Sequence, residues 1–273
     1  MSYEREMQAA LEAADLAGHA ILDRYARFEV VADAPADITT AADRDAQEII
    51  LTHLHRTFPS DALCAEETTP TLAQAAHTGL RLWIVDPIDG TRGFARKNGE
   101  FSVMIGFIDQ GQIAVGVVAE PALGRLTYAV RGGGCWRRDG ASAEPVRCGV
   151  STITELTKAT LTQSRSHKEG PPSPELLALK PATVLATYSA GIKMAQVARG
   201  EADIYLNTYP KFHDWDICAG HVLIAEAGGR VTGLGGQALR YGEPGAPQVH
   251  GLLATNGLLH EAALAALKGT RPA

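Results

Sequence analysis

The chain has 273 residues, of which 45% are hydrophobic and 21% charged, the balance of a globular protein able to bury one large core or two closely packed halves. Its formal net charge of -6 and sequence pI near 5.8 argue against a nucleic-acid polymer as partner, because binding to a phosphate backbone needs a basic surface. Any phosphate the protein holds must be met locally.

The N-terminal stretch "MSYEREMQAALEAADLAGHAIL" is charged early and lacks the apolar core of a signal peptide, and no apolar run reaches membrane-spanning length. Cys64, Cys135, Cys148 and Cys218 are widely spaced and form no C-x-x-C pair, so they read as reduced thiols. The expectation is a soluble, cytoplasmic protein with no membrane partner. Met7, Leu11, Ala14, Ile21, Leu22 and Tyr25 recur at helical spacing and predict an amphipathic helix over 2–27. A second helix, capped by Thr39 or Thr40, carries Ala46, Ile49, Ile50, Leu54 and Phe58 on one face and stops at Pro59. Asp43 then falls in its first turns.

From Leu80 the pattern changes to strands: "LRLWIVD", then "FSVMIGFI" and "IAVGVVAE" joined by "DQGQ", then "RLTYAV" ending at the glycines 132–134. After residue 150, the strand-like runs "KATLTQS" and "ATVLATYS" alternate with helical runs over 192–200, 216–227 and 258–267. The segment "HKEGPPSPE" (167–175) reads as a loop able to serve as lid or rim, and "RGGGCW" and "GLGGQ" read as turns.

In "WIVDPIDGTRG" (83–93) an apolar strand runs into Asp86 and Asp89. Carboxylates at the end of a buried strand are costly unless compensated, so these two either reach solvent or hold a cation. Pro87 stiffens the segment, Gly90 permits close approach of a ligand, and the backbone N–H groups of Gly90 and Thr91 can face a phosphate. Acidic residues recur in "CAEETTP" (Glu66, Glu67) and "HDWDICAG" (Asp214, Asp216). Taken singly, each is more often a helix cap or surface charge; taken together, oxygen-only ligands suit Mg²⁺ or Mn²⁺ better than zinc.

In this order, "TAAD" (40–43), "EE" (66–67), "WIVDPIDGT" (83–91) and "WDICAG" (215–220) resemble the Mg²⁺-dependent, lithium-sensitive phosphatase superfamily of inositol monophosphatases, fructose-1,6-bisphosphatases and 3'(2'),5'-bisphosphate nucleotidases. The resemblance implies a layered αβαβα sandwich of mixed α+β and α/β class. An N-terminal half (1–150) would carry most metal ligands, and a C-terminal half (151–273) the specificity residues and the last ligand. It also implies that Glu66, Asp86 and the carbonyl of Ile88 bind one metal, and that Asp86, Asp89 and Asp216 surround a second. Thr91, beside Asp43, would position and help deprotonate the attacking water. Two or three Mg²⁺ ions are expected, with Mn²⁺ able to substitute.

The segments "QSRSH" (163–167) and "SAGIK" (189–193) resemble the bisphosphate nucleotidase branch, which converts 3'-phosphoadenosine 5'-phosphate to AMP. By that resemblance Ser164, His167, Ser189 and Lys193 face the substrate together with Gly90 and Thr91. Arg165 is left open, and His213 is expected to support the site rather than ligate metal. The chain departs from that branch at Asp33, where a lysine is common, which puts a third metal near 31–39 in question, and at Ser189, where glycine is usual, which bears on how closely the nucleotide approaches. An inositol monophosphatase or histidinol-phosphatase is the alternative enzyme, and a partner-binding protein retaining the fold is the alternative outside enzymes. The partner expected is a small phosphorylated metabolite, with a homodimer allowed.

Overall fold

Alanines at helical spacing build the first layer. In the computed structural model, which describes residues 3–35, 37–165, 171–209, 212–242 and 248–270, α1 (Glu4–Arg27) buries Ala9, Ala10, Ala13, Ala14, Ala17 and Ile21 on one face. Small side chains there let α2 (Ala41–Thr57) lie close. Thr40 caps α2: its hydroxyl accepts from the Ala42 N–H at 3.1 Å, while its own backbone N–H donates to Asp43 at 2.8 Å.

The chain continues through β1 (Ala62–Ala65), α3 (Pro70–Gln74), β2 (Arg81–Asp89), α4 (Thr91–Ala95), β3 (Ser102–Asp109), β4 (Gln112–Glu120), β5 (Arg125–Val130), β6 (Gly134–Asp139) and β7 (Val146–Arg147). The second half holds β8 (Thr160–Ser164), α5 (Pro174–Leu179), β9 (Thr183–Thr187), α6 (Ala190–Ala198), β10 (Ile204–Asn207), α7 (Cys218–Glu226), β11 (Arg230–Thr232), β12 (Leu252–Thr255) and α8 (His260–Leu267).

Strands β1 to β7 form one seven-stranded sheet in sequential order, with β1 parallel to β2 and the rest antiparallel; the other sheet runs β11-β12-β10-β8-β9. Strand alternation divides the first sheet's faces. Trp83, Val85, Val103, Ile105, Phe107, Val115 and Val117 pack with α1 and α2, whereas Met104, Val118, Ala129 and Cys135 pack with α6 and α7. Tyr205, Leu252 and Ala254 of the second sheet close the far side of α6 and α7, and Leu161, Ile204 and Leu253 turn to α5 and α8. The result is the αβαβα sandwich expected from the sequence. Among the described residues no helix is long and apolar enough to cross a membrane.

Several short elements escape the sequence patterns. β1, β6, β7, β10, β11 and β12 are two to six residues long, too short for periodicity to register. α5 takes up the end of the loop expected over 167–175, Ser173 capping it by accepting from the Leu176 N–H at 3.2 Å, while residues 167–170 lie outside the described residues. α6 begins at Ala190, two residues earlier than expected, because Ser189 caps it.

The middle helical layer is seated by glycine. A Cβ added to Gly116 on β4 would stand 2.3 Å from Val222 Cγ1 and 2.4 Å from the Ala219 carbonyl oxygen, both on α7. Gly116→Ala should therefore lift α7 from the sheet and cost about 1–3 kcal/mol of stability, read from urea denaturation. A wild-type midpoint would show that the helix has room to spare.

Candidate active site

In a regular strand, side chains three residues apart point to opposite faces. Asp86 and Asp89 nevertheless share a face, because Asp86 pairs with Met104 and Asp89 with Ser102: β2 spends one residue more than β3 over this interval. The bulge falls at Pro87, which has no N–H to give to the ladder. Both carboxylates thus turn toward α6 and α7, where Asp216 waits two residues ahead of α7. Oxygens of Asp86, Asp89 and Asp216 lie within 4.8 Å of one another.

Asp89 and Asp216 are fixed by bonds from the chain around them. Asp89 accepts on Oδ2 from the Gly191 N–H at 2.6 Å, from the Ser102 hydroxyl at 3.2 Å, and from the Ser189 hydroxyl. Asp216 accepts from the His213 N–H at 2.6 Å, and the His213 ring stacks on Trp215 at 4.4 Å. His213 therefore supports the site through its backbone. Asp86 is 2% exposed, and its Oδ1 has no hydrogen-bond partner. Glu66 keeps an exposed edge yet is walled in by protein, beside the carboxylates of Asp86 and Asp216.

Gathering like charges in a buried place raises their proton affinity. Burial, then the Asp216 charge, pushes Glu66 up to about 8; burial, then the charges of Asp89 and Asp214, pushes Asp216 up to about 7. Asp86 is held well above the usual carboxylate range by burial and by Glu66, Asp89 and Asp216. A hard divalent cation reverses this, and the residues fit one: every donor is oxygen, and a buried carboxylate oxygen stands unsatisfied. The Ile88 carbonyl lies between the two aspartates, 3.0 Å from the Thr91 hydroxyl oxygen.

Thr91 also reaches Asp43, at 2.9 Å. Asp43 is 1% exposed and takes two further bonds from Thr40; burial raises its pKa, and the Thr40 and Thr91 bonds oppose the rise. Gln47, one helical turn beyond Asp43, is fully buried, and its amide clamps Glu67 by accepting from the N–H at 2.7 Å and donating to the C=O. That clamp fixes the chain carrying Glu66. Nothing in the sequence marks Gln47 except its place four residues after Asp43 on a core-facing helix.

The residues expected at the substrate divide. Gly90 adopts φ +86°, and a Cβ there would lie 2.7 Å from the Glu100 carbonyl oxygen, so the turn into α4 requires glycine. Ser164 is half-buried at the end of β8. His167 lies outside the described residues. Ser189 and Lys193 are corrected: neither is accessible to a ligand. Ser189 is fully buried, capping α6 by accepting from the Ile192 N–H at 2.9 Å while donating to Asp89. Lys193 is 1% exposed and donates to the carbonyls of Thr187 and Tyr188 at 3.2 Å each, with Ser164 Oγ at 3.5 Å. Burial pushes its pKa down to about 8 despite Asp89, Glu100 and Asp216. A serine and a lysine on the inner turn of α6 meet a carboxylate and free carbonyls before they meet solvent.

This carboxylate geometry coincides with a family match: the description "Inositol monophosphatase family" covers residues 3–270. The chain belongs to the inositol monophosphatase family. It is 35% identical to a histidinol-phosphatase of Mycobacterium tuberculosis over 98% of this chain and 99% of that protein. It is 32% identical to a 3'(2'),5'-bisphosphate nucleotidase of Escherichia coli over 82% of this chain and 89% of that one. Among solved structures, an inositol monophosphatase from Anabaena superposes with a TM-score of 0.78 at 28% identity, covering 97% of this chain and 96% of that chain. The family is one of Mg²⁺-dependent phosphatases, and the acidic cluster described above could hold the metal.

The crowding has a measurable consequence in chelator. Glu66 moves from an ordinary 4.5 to about 8 and Asp216 from 3.8 to about 7, so the folded state binds these protons more tightly than the unfolded chain. The stability they contribute is complete below the ordinary values and is lost as pH rises through the raised ones. The Tm of chelated protein should fall between roughly pH 5 and 8, Asp216→Asn should flatten that fall, and saturating Mg²⁺ should offset it. A flat profile in chelator would mean that the carboxylates do not repel.

Proposed function

We propose that the protein is a Mg²⁺-dependent phosphomonoesterase that removes the 3'-phosphate of 3'-phosphoadenosine 5'-phosphate to give AMP. One observation carries the choice of substrate. Arg92, Arg96 and Arg165 place their guanidinium carbons 5.5, 5.9 and 5.9 Å from the ring centre of Tyr188. Arg92 follows Thr91 directly, and Tyr188 precedes Ser189, which bonds Asp89, so this rim adjoins the carboxylates. Glu100 pairs with Arg165, while the Arg92 Nε is buried with no partner. Arginines around an aromatic ring suit a ligand bearing a second phosphate and a planar base. They repel the ammonium of histidinol phosphate.

Glu66, Asp86, the Ile88 carbonyl, Asp89 and Asp216 would hold two Mg²⁺ ions, or Mn²⁺ in their place, and when bound the ions supply positive charge to the phosphoryl group and to the attacking water. The Thr91 hydroxyl gives its hydrogen to Asp43 and keeps lone pairs to accept one from water, which orients the nucleophile. Gly90 and Thr91 open α4, and amides of a first helical turn have no partner within the helix, so they are free to meet phosphate oxygens. Ser164, at the end of β8, would touch the rest of the substrate.

Histidinol phosphate is the second reading, favoured by 35% identity to a histidinol-phosphatase along nearly the whole of both chains. Phosphate release with Mg²⁺ from 3'-phosphoadenosine 5'-phosphate, histidinol phosphate, inositol 1-phosphate and fructose 1,6-bisphosphate, run in parallel, separates these readings. The nucleotide should have the largest kcat/KM, and a preference for histidinol phosphate would sink the proposal. Arg92→Met should lower kcat/KM for the nucleotide by about ten- to a hundredfold and leave histidinol phosphate unchanged or faster. Asp89→Asn, nearly isosteric but neutral, should lower turnover on every substrate by roughly a hundredfold or more.

A further inference from the structure

Away from the carboxylates, two thiols face each other across β6 and the end of β7. The pairing of Trp136 with Arg147 and Arg137 with Val146 continues one step to set Cys135 opposite Cys148, and the Cys148 N–H donates to the Cys135 carbonyl at 2.8 Å. Residues so opposed in an antiparallel pair have Cα atoms about 5.5 Å apart with side chains on one face, inside the span of about 4.4–6.8 Å that a disulfide bridges. The two thiols perturb each other's ionisation, and Cys148 Sγ reaches the Val146 carbonyl at 3.9 Å. Cys135 is fully buried against the α7 layer, whereas Cys148 is only half-buried.

The surroundings of Cys148 differ in sign from those of the other three cysteines; Cys135 itself is held well above the ordinary thiol range by the neighbouring Cys148 and by burial. The neighbouring Cys135 thiol, and after it the charges of Arg199 and Arg137, hold the Cys148 thiol below its ordinary range, with burial and Glu201 opposing. Burial, then Asp214, pushes Cys64 up to about 12, and the same pair of causes holds Cys218 well above the ordinary range. One thiol is reachable and supported as a thiolate beside a second thiol; the other two sit by a carboxylate that disfavours ionisation.

We propose that Cys148 is a peroxide-reactive site and Cys135 its resolving partner, the two closing to an intramolecular disulfide. The Cys148 thiolate attacks a hydroperoxide oxygen, the O–O bond breaks, and hydrogen peroxide leaves hydroxide and a Cys148 sulfenic acid. The Cys135 sulfur then attacks the sulfenyl sulfur; the S–S bond forms, the S–O bond breaks, and hydroxide departs with the Cys135 proton as water. Two thiols lose two electrons and the peroxide gains them. β6 is four strands from β2, about 19 Å at ordinary strand spacing, so the reaction leaves the carboxylate cluster untouched.

The full-length reduced protein, titrated with hydrogen peroxide, should lose two of its four thiols and two hydrogens of mass, and a digest should yield a Cys135–Cys148 linked peptide. Cys148 should react at least about tenfold faster than Cys64 by differential alkylation of the wild-type chain. Cys135→Ser should stop at a sulfenic acid trapped by dimedone, and Cys148→Ser should keep its remaining thiols at the same dose. Equal rates at Cys148 and Cys64, or oxidation of Cys148 to sulfinic acid without the linked peptide, would overturn the proposal.

Discussion

Repulsion among carboxylates is the constraint around which the rest is arranged. Glu66, Asp86, Asp89 and Asp216 converge from three separate segments, and protein donors alone do not compensate the group: Asp86 Oδ1 remains unsatisfied, and the proton affinities of Glu66, Asp86 and Asp216 rise. Such a cluster persists only if the surrounding structure holds each member independently. It does so through the β2 bulge, the Gly191 and His213 amides, the serines at Asp89 and the Gln47 clamp behind Glu66. The stability forgone at the cluster is what a cation recovers on binding.

Those supports in turn require the layers to sit close. Asp89 reaches the Gly191 amide because α6 lies against β3, where a Cβ on Gly191 would stand 2.5 Å from Ser102 Oγ. Asp216 is aimed by α7, which Gly116 admits to the sheet. Packing in the middle layer and ligand geometry in the cleft are therefore one problem. A single methyl group in the wrong place would disturb both.

Legibility in the sequence followed segment length and chemistry. α1, α2 and the long hairpin strands β3 and β4 carry enough turns or alternations for their burial pattern to declare itself. The short strands of the second sheet do not, since four residues such as Leu252–Thr255 read equally as a buried turn or a helix end. The aspartates stood out because charge at the end of an apolar strand needs a reason, and their common face became visible only with the bulge at Pro87. Gln47 and Ser102 were silent, because their value lies in partners twenty and thirteen residues away.

Lys193 shows where a motif match and a structure part company. As a sequence feature it resembles an anchor for substrate, yet the fold places its ammonium beneath the cluster, on the Thr187 and Tyr188 carbonyls and over the Tyr205 ring at 5.3 Å. A buried cation in that position has two effects. It lowers the repulsion felt by Asp89 and Asp216 before any metal arrives, and it fixes the backbone of Tyr188, the residue about which the rim arginines gather. One side chain thereby links the carboxylate cluster to the arginines around Tyr188. On the proposed reading, discrimination between phosphate esters falls to Arg92, Arg96 and Arg165 around Tyr188, while Lys193 holds the backbone about which they gather.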